Sequence, residues 1–70
     1  FARLRTLRKD LARRDGVPPY MIFGDATLAE MAAHLPTDRE ALLAVNGVGK
    51  TKLRHYGDAF IEEIIGHLCR

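Results

Sequence analysis

The sequence predicts a small all-α domain, a compact bundle of five helices. Apolar residues recur at intervals of three and four along most of the chain, which is the spacing of one helix face. Gly and Pro residues interrupt this pattern and mark the turns. The one short run with strand character has no second run with which to pair, so a sheet is not expected. We expect the 70 residues to form a single domain, part of a larger protein, with little room for a buried catalytic cleft.

The first helix is predicted over residues 1–14, and Gly16 ends it. Its apolar face is formed by Phe1, Leu4, Leu7 and Leu11. The same segment contains six Lys and Arg residues and one Asp, a charge of +5, so the rest of the chain carries −3 of the total of +2. Arg5, Lys9 and Arg13 form a cationic stripe on the face away from the leucines. Such an asymmetric charge distribution suggests an electrostatic footprint for a polyanion, although a merely solvated face is the alternative.

The segment 17–23 is predicted to be an extended, proline-rich connector. Pro18 and Pro19 lack the N–H group that a helix requires, and each favours an extended residue before it. We expect the last three residues of the connector to fill the core: Met21, Ile22 and Phe23. Tyr20, held beside stiff prolines, could stay exposed and stack on an unpaired base. The alternative is a tyrosine folded into the core with its hydroxyl hydrogen-bonded.

Two capping boxes predict the second and third helices. After Gly24, Asp25 or Thr27 can cap the second helix. Thr27 with Glu30 matches the first box, Thr37 with Glu40 matches the second, and Pro36 ends the helix between them. Asp38 favours the positive end of the third helix. The apolar residues assigned to the core from these two helices are Leu28, Met31, Leu35, Leu42, Leu43 and Val45.

A glycine turn and a further glycine delimit the last two helices. Residues 46–49 read Asn-Gly-Val-Gly, where both glycines can adopt positive φ, and a short helix is predicted over residues 50–56 with Leu53 and Tyr56 inward. Gly57 is expected to separate it from the final helix. The broad apolar face of that final helix consists of Phe60, Ile61, Ile64, Ile65 and Leu68.

The glycine turn with its following cations is a candidate phosphate site. Gly47 and Gly49 resemble the turn of helix-hairpin-helix DNA-binding motifs, which presents backbone N–H groups to an anion. Lys50, Lys52 and Arg54 follow within one helical turn and add Coulomb attraction. The alternative is that the glycines only allow two helices to pack closely.

Other motifs do not support catalysis or metal binding. Gly49-Lys50-Thr51 resembles the end of a nucleotide-binding P-loop, but Ala44 stands where its first glycine is required. The three histidines fall on different predicted helices without clustered carboxylates, which argues against zinc. The single cysteine, Cys69, excludes an internal disulfide and suits a reducing cytoplasm. We therefore expect no enzyme activity, metal or cofactor in this chain.

Taken together, the order and spacing of three blocks resemble the HRDC (helicase and RNase D C-terminal) domain. The blocks are Val-Pro-Pro-Tyr at 17–20, Thr-Leu-Ala-Glu-Met-Ala at 27–32 and Asn-Gly-Val-Gly at 46–49. Their spacing is most similar to that of bacterial RecQ-type helicases. The resemblance implies an accessory domain, without catalytic residues, of an ATP-dependent 3′-to-5′ DNA helicase that acts in repair and recombination. ATP and Mg²⁺ would be bound by the parent helicase.

The resemblance also implies where nucleic acid would bind. Tyr20 matches the tyrosine that pairs with basic residues in family members that bind single-stranded DNA. The residues expected to contact phosphates are Arg5, Arg8, Lys9, Lys50, Lys52 and Arg54, together with the turn glycines Gly47 and Gly49. We expect weak binding of single-stranded or junction DNA by a monomeric, cytoplasmic domain with no membrane partner, and contacts with other domains of the same helicase.

Two alternative functions follow from the same fold. Asp58, Glu62 and Glu63 make the last helix acidic, which favours a protein-interaction or intramolecular regulatory domain that docks on the helicase core or a partner. An RNA-binding domain of an RNase D-like exonuclease is the other alternative.

Overall fold

Five α-helices, a 3-10 turn and a π-helical turn make up the regular structure of residues 2–69, the residues that the computed structural model describes. The elements are α1 (Ala2–Asp15), the 3-10 turn (Pro19–Met21), α2 (Asp25–His34), α3 (Arg39–Leu43), α4 (Lys50–Lys52), the π-turn (Leu53–Gly57) and α5 (Asp58–Leu68). Within this range no strand is present, so the predicted all-α class is confirmed. The predicted first helix matches α1 closely, but Phe1 lies outside the described residues.

The core lies between α1, α2 and α5, and residues from the connector and α3 complete it. Its largest fully buried side chains are Ile22, Phe23, Leu28, Met31, Leu42, Phe60 and Ile64. Phe23 and Phe60 meet edge to face at its centre, with ring centroids 5.0 Å apart. Leu4 and Leu11 of α1 are buried as predicted, and Leu7 packs at the edge of the cluster.

The connector turns back on itself after the two prolines. The N–H groups of Met21 and Ile22 donate to the carbonyls of Pro18 and Pro19, which closes a 3-10 turn where an extended segment is predicted. Ile22 and Phe23 are fully buried, as expected, whereas the expectation for Met21 is wrong because its side chain is about half exposed. A short turn cannot point three successive side chains at one core, so the first of them remains in solvent.

Helix α2 begins three residues earlier than the capping box at Thr27 and Glu30 predicts. Gly24 precedes its first residue, and no side chain caps it. Thr27 is therefore inside the helix and does not act as a cap. Helix α2 ends at His34, and Leu35 caps it with a left-handed φ of 50° and an N–H that donates to the carbonyl of Met31.

The second predicted capping box, Thr37 with Glu40, does not begin α3. The Asp38 carboxylate caps α3, because its Oδ1 accepts the N–H of Ala41 at 2.7 Å, and Thr37 lies outside the helix. Leu42 is fully buried, but Leu43 is partly exposed, contrary to its predicted place in the core.

Thr27 and Glu30 fasten the glycine turn to α2. The Thr27 hydroxyl donates to the carbonyl of Asn46 at 3.0 Å, and Glu30 Oε2 accepts the N–H of Asn46 at 2.9 Å. Gly47 follows with a φ of 89°, whereas the expectation of positive φ at Gly49 is wrong, because its φ is −91°. The turn between α3 and α4 is thus fixed through both backbone groups of one residue.

The last two helices are joined without a break, contrary to the predicted separation at Gly57. Gly57 has φ −57° and ψ −45°, so helical geometry continues through the π-turn into α5. It is buried, and a Cβ on it would lie 2.6 Å from Leu53 Cδ1 and 3.4 Å from Leu42 Cδ2. The absence of a side chain lets α3 approach closely. The exposed Ile65 and Leu68 correct the predicted apolar face of α5.

We predict that Gly47→Ala destabilises the domain by about 3 kcal/mol, from left-handed strain and overpacking. The new Cβ would overlap the Thr27 hydroxyl, which is buried and hydrogen-bonded to Asn46. Gly16→Ala is the matched control, because Gly16 also has positive φ, at 68°, but faces open space. It should cost only about 1 kcal/mol. Urea denaturation followed by circular dichroism measures both values, and equal losses would contradict the close contact between Gly47 and Thr27.

Candidate nucleic-acid interface

Tyr20 lies in solvent with 67% of its surface exposed. The 3-10 turn produces this position, because the prolines restrict the backbone before the ring and the buried pair Ile22 and Phe23 holds the backbone after it. The alternative of a core tyrosine does not fit this geometry. Such a ring can stack on an unpaired base without first leaving the core.

Arg8 is occupied within the fold. Its Nη1 donates to the carbonyl of Phe23 at 3.1 Å and to Asp25 Oδ1 at 2.8 Å, and its side chain is only 13% exposed. The guanidinium therefore joins α1 to the connector and to the start of α2. Little of its surface is left for the phosphate contact that the resemblance implies.

The remaining expected cations of α1 face solvent. Arg5 and Lys9 are exposed, as is Arg13 one turn further along the helix. Their spacing of four residues places them along one side of α1. This side is opposite to the buried Leu4 and Leu11, as the charge pattern predicts.

A second group of predicted cations follows the glycine turn, far from α1 in the sequence. Gly47, Gly49, Lys50 and Arg54 are exposed, and Lys52 is half-buried. The hydrogen bonds of the Asn46 backbone with Thr27 and Glu30 fix the chain that leads into these residues.

Arg39 of α3 is a basic residue outside the predicted set of phosphate-binding residues. It lines a surface depression together with Lys50, Leu53 and Arg54. Its Nε and Nη2 donate to the two carboxylate oxygens of Asp58 at 2.9 and 2.6 Å. The hydrogen bonds from Arg39 lower the pKa of Asp58 below its usual value. No local motif indicates this cluster, because α3 and α4 come together only in the folded chain.

A second carboxylate joins the end of α1 to the π-turn. Asp15 accepts Nε–H of Arg14 at 2.9 Å on one oxygen and the Tyr56 hydroxyl at 2.6 Å on the other. Both bonds lower the pKa of Asp15, and the bond from Arg14 has the larger effect. Donation of the hydroxyl proton to Asp15 raises the pKa of Tyr56. Tyr56 is therefore half-buried with its hydroxyl at the surface, and not simply inward as predicted.

Among residues 2–69, no group of three His, Cys, Asp or Glu side chains could hold a metal ion. None of the helices in that range combines the length and the hydropathy needed to cross a bilayer. Cys69 is exposed and forms no disulfide.

Comparison with known proteins places this geometry in a family. The family model described as the HRDC domain matches residues 1–64. The chain belongs to the HRDC domain family. A solved structure, HRDC domain 3 of D. radiodurans RecQ, superimposes with a TM-score of 0.90 at 32% identity, covering 93% of this chain and 86% of that one.

Curated helicases contain similar HRDC sequences. The chain is 49% identical over 67 residues to the ATP-dependent DNA helicase RecQ of Haemophilus influenzae, which covers 96% of this chain. It is 45% identical over 64 residues to that of Bacillus subtilis, covering 91% of this chain. The ATP-dependent DNA helicase Q-like 4B of Arabidopsis thaliana is 46% identical over 63 residues, covering 87%. The chain spans 11% of the length of each of these two bacterial relatives and 6% of the plant one. This HRDC domain therefore resembles domains of RecQ-type helicases.

We predict that Tyr56→Phe raises the pKa of Asp15 toward its ordinary value, because the carboxylate loses one of the two donors that stabilise its charge. The rise should be partial, since the bond from Arg14 remains. Carboxyl carbon shifts, followed by NMR as the pH is lowered, measure it. Asp58 is the internal control: its pKa depends on Arg39 and should not move. An unchanged Asp15 titration would show that the Tyr56 bond is absent in solution.

Proposed function

We propose that this HRDC domain is an accessory nucleic-acid-binding element of a RecQ-type ATP-dependent DNA helicase, and that it binds single-stranded or junction DNA weakly. The observation that carries the proposal is the exposed Tyr20 ring in its Val-Pro-Pro-Tyr setting. Among the Phe and Tyr side chains of residues 2–69, it is the one that lies largely in solvent. An aromatic ring held this way offers a base a stacking surface without loss of core packing.

Two groups of cations, exposed except for the half-buried Lys52, would supply the phosphate contacts. One group is Arg5 and Lys9 on α1, and the other is Lys50, Lys52 and Arg54 after the glycine turn. Acidic residues elsewhere keep the net charge at only +2, so long-range attraction is small. With few phosphates neutralised, the logarithm of the binding constant should fall by only about 0.7 per contact for each unit of log salt. Weak binding at physiological salt is the consequence.

The domain would act through its attachment to a motor. A weak site tethered to a helicase raises the local concentration of DNA at that motor, and thereby adds affinity and substrate preference. ATP and Mg²⁺ would be bound outside the HRDC domain. Repair and recombination are the processes that the RecQ resemblance implies for the whole protein.

Docking on protein is a second candidate function, and the exposed end of α5 favours it. Ile65 and Leu68 lie three residues apart on one face, with 41% and 51% of their surfaces exposed. Such a patch suits contact with another part of the helicase or a partner. Under this alternative the isolated domain would show no salt-dependent DNA binding, while its deletion would change the ATPase or unwinding rate of the parent helicase. The similar helicases favour this setting over the exonuclease alternative.

We predict that Tyr20→Ala weakens binding of a short single-stranded oligonucleotide by about 1 to 3 kcal/mol, roughly 5- to 150-fold in Kd, because one stacked base is lost. Tyr20→Phe is the matched control, since it keeps the ring and removes only the hydroxyl, and it should bind nearly as the unmodified domain does. Fluorescence anisotropy at low salt measures both. Unchanged affinity in Tyr20→Ala would reject the proposed surface.

A further inference from the structure

Three basic side chains line one surface depression between α3 and the helical segment that follows the glycine turn. They are Arg39, Lys50 and Arg54, and Leu53 supplies the apolar part of the lining. Arg39 is contributed by a different helix from the other two. The fold therefore brings together, in one depression, positive charges that lie up to fifteen positions apart in the sequence.

Asp58 orients the Arg39 guanidinium but does not occupy all of the N–H donors of that group. The carboxylate accepts from Nε and Nη2, so the Nη1 edge of the guanidinium is outside the pair. A guanidinium fixed on one edge keeps its planar geometry and loses little rotamer freedom when it binds an anion on another. Asp58 offsets one of the three positive charges, so the depression retains an excess of two.

We propose that this depression is a phosphate subsite for the DNA backbone, with Arg39, Lys50 and Arg54 as its ligands. The inference rests on the proposed DNA-binding function and adds to it a residue and a location. Arg39 donates from its remaining edge, and the two other cations surround the phosphate. Leu53 offers an apolar contact for the adjoining sugar. The mixture of cations and an apolar side chain suits a phosphodiester with its sugar better than a fully charged acidic peptide.

The test compares two arginines in the intact domain. Arg39→Ala removes the subsite arginine. Arg14→Ala is the matched control, because Arg14 is also an exposed arginine bound to a carboxylate, with 61% of its side chain exposed against 67% for Arg39. Both variants lose one charge, so a difference between them is not a net-charge effect. Affinity for a short oligothymidylate is measured by anisotropy across a salt series, and circular dichroism verifies the fold.

Arg39→Ala should bind at least threefold more weakly than Arg14→Ala, and its salt slope should be shallower by about 0.7, the loss of one single-strand phosphate contact. Lys50→Gln should show the same shallower slope, which keeps the test valid if Arg39→Ala folds poorly. Equal affinities and slopes for Arg39→Ala and Arg14→Ala would overturn the subsite. Polyglutamate that competes with oligothymidylate at equal charge concentration would also overturn it, in favour of an acidic protein ligand.

The outcome separates this inference from the proposed function. If Tyr20→Ala weakens binding while Arg39→Ala matches its control, DNA binding stands and the subsite fails. If the unmodified domain shows no salt-dependent binding, both fail.

Discussion

The burial of Ile22 and Phe23 is the constraint on which the rest of the structure depends. Both are fully buried, and Phe23 packs its ring against Phe60 of α5 while its carbonyl accepts the bond from Arg8 of α1. The two prolines before them leave the backbone few conformations. Tyr20 is therefore held outside the core by the same segment that completes it, so the proposed stacking of its ring on a base would cost little backbone conformational entropy.

Most of the fold could be predicted from the sequence, because apolar periodicity and Gly and Pro positions are local signals. The prediction of a capping box at Thr27 and Glu30 is wrong for a physical reason: a hydroxyl and a carboxylate at that spacing can form hydrogen bonds with any nearby backbone group. Here they bind Asn46, a partner 16 to 19 residues away. The prediction of a break at Gly57 is wrong for a similar reason, since the missing side chain makes room for Leu53 one turn earlier and for Leu42 of α3, and the contact with α3 is tertiary.

The candidate site was only partly predictable. Tyr20 could be selected because its proline setting is local. The sequence shows that Arg8 is charged, but only the fold shows that this charge is paired with Asp25. Arg39 was missed because its neighbours Lys50 and Arg54 come from another helix. The charge pattern of the sequence thus shows where cations cluster, whereas the assignment of each cation to the proposed site or to the fold requires the tertiary structure.

An NMR titration of the isotope-labelled domain with a short oligothymidylate at low salt tests directly whether DNA binds around Tyr20. Our account predicts amide shift changes centred on the connector around Tyr20 and on the residues that follow the glycine turn, and these changes should shrink as salt is added. Changes confined to the end of α5 around Ile65 and Leu68, or no change at any DNA concentration, would contradict it.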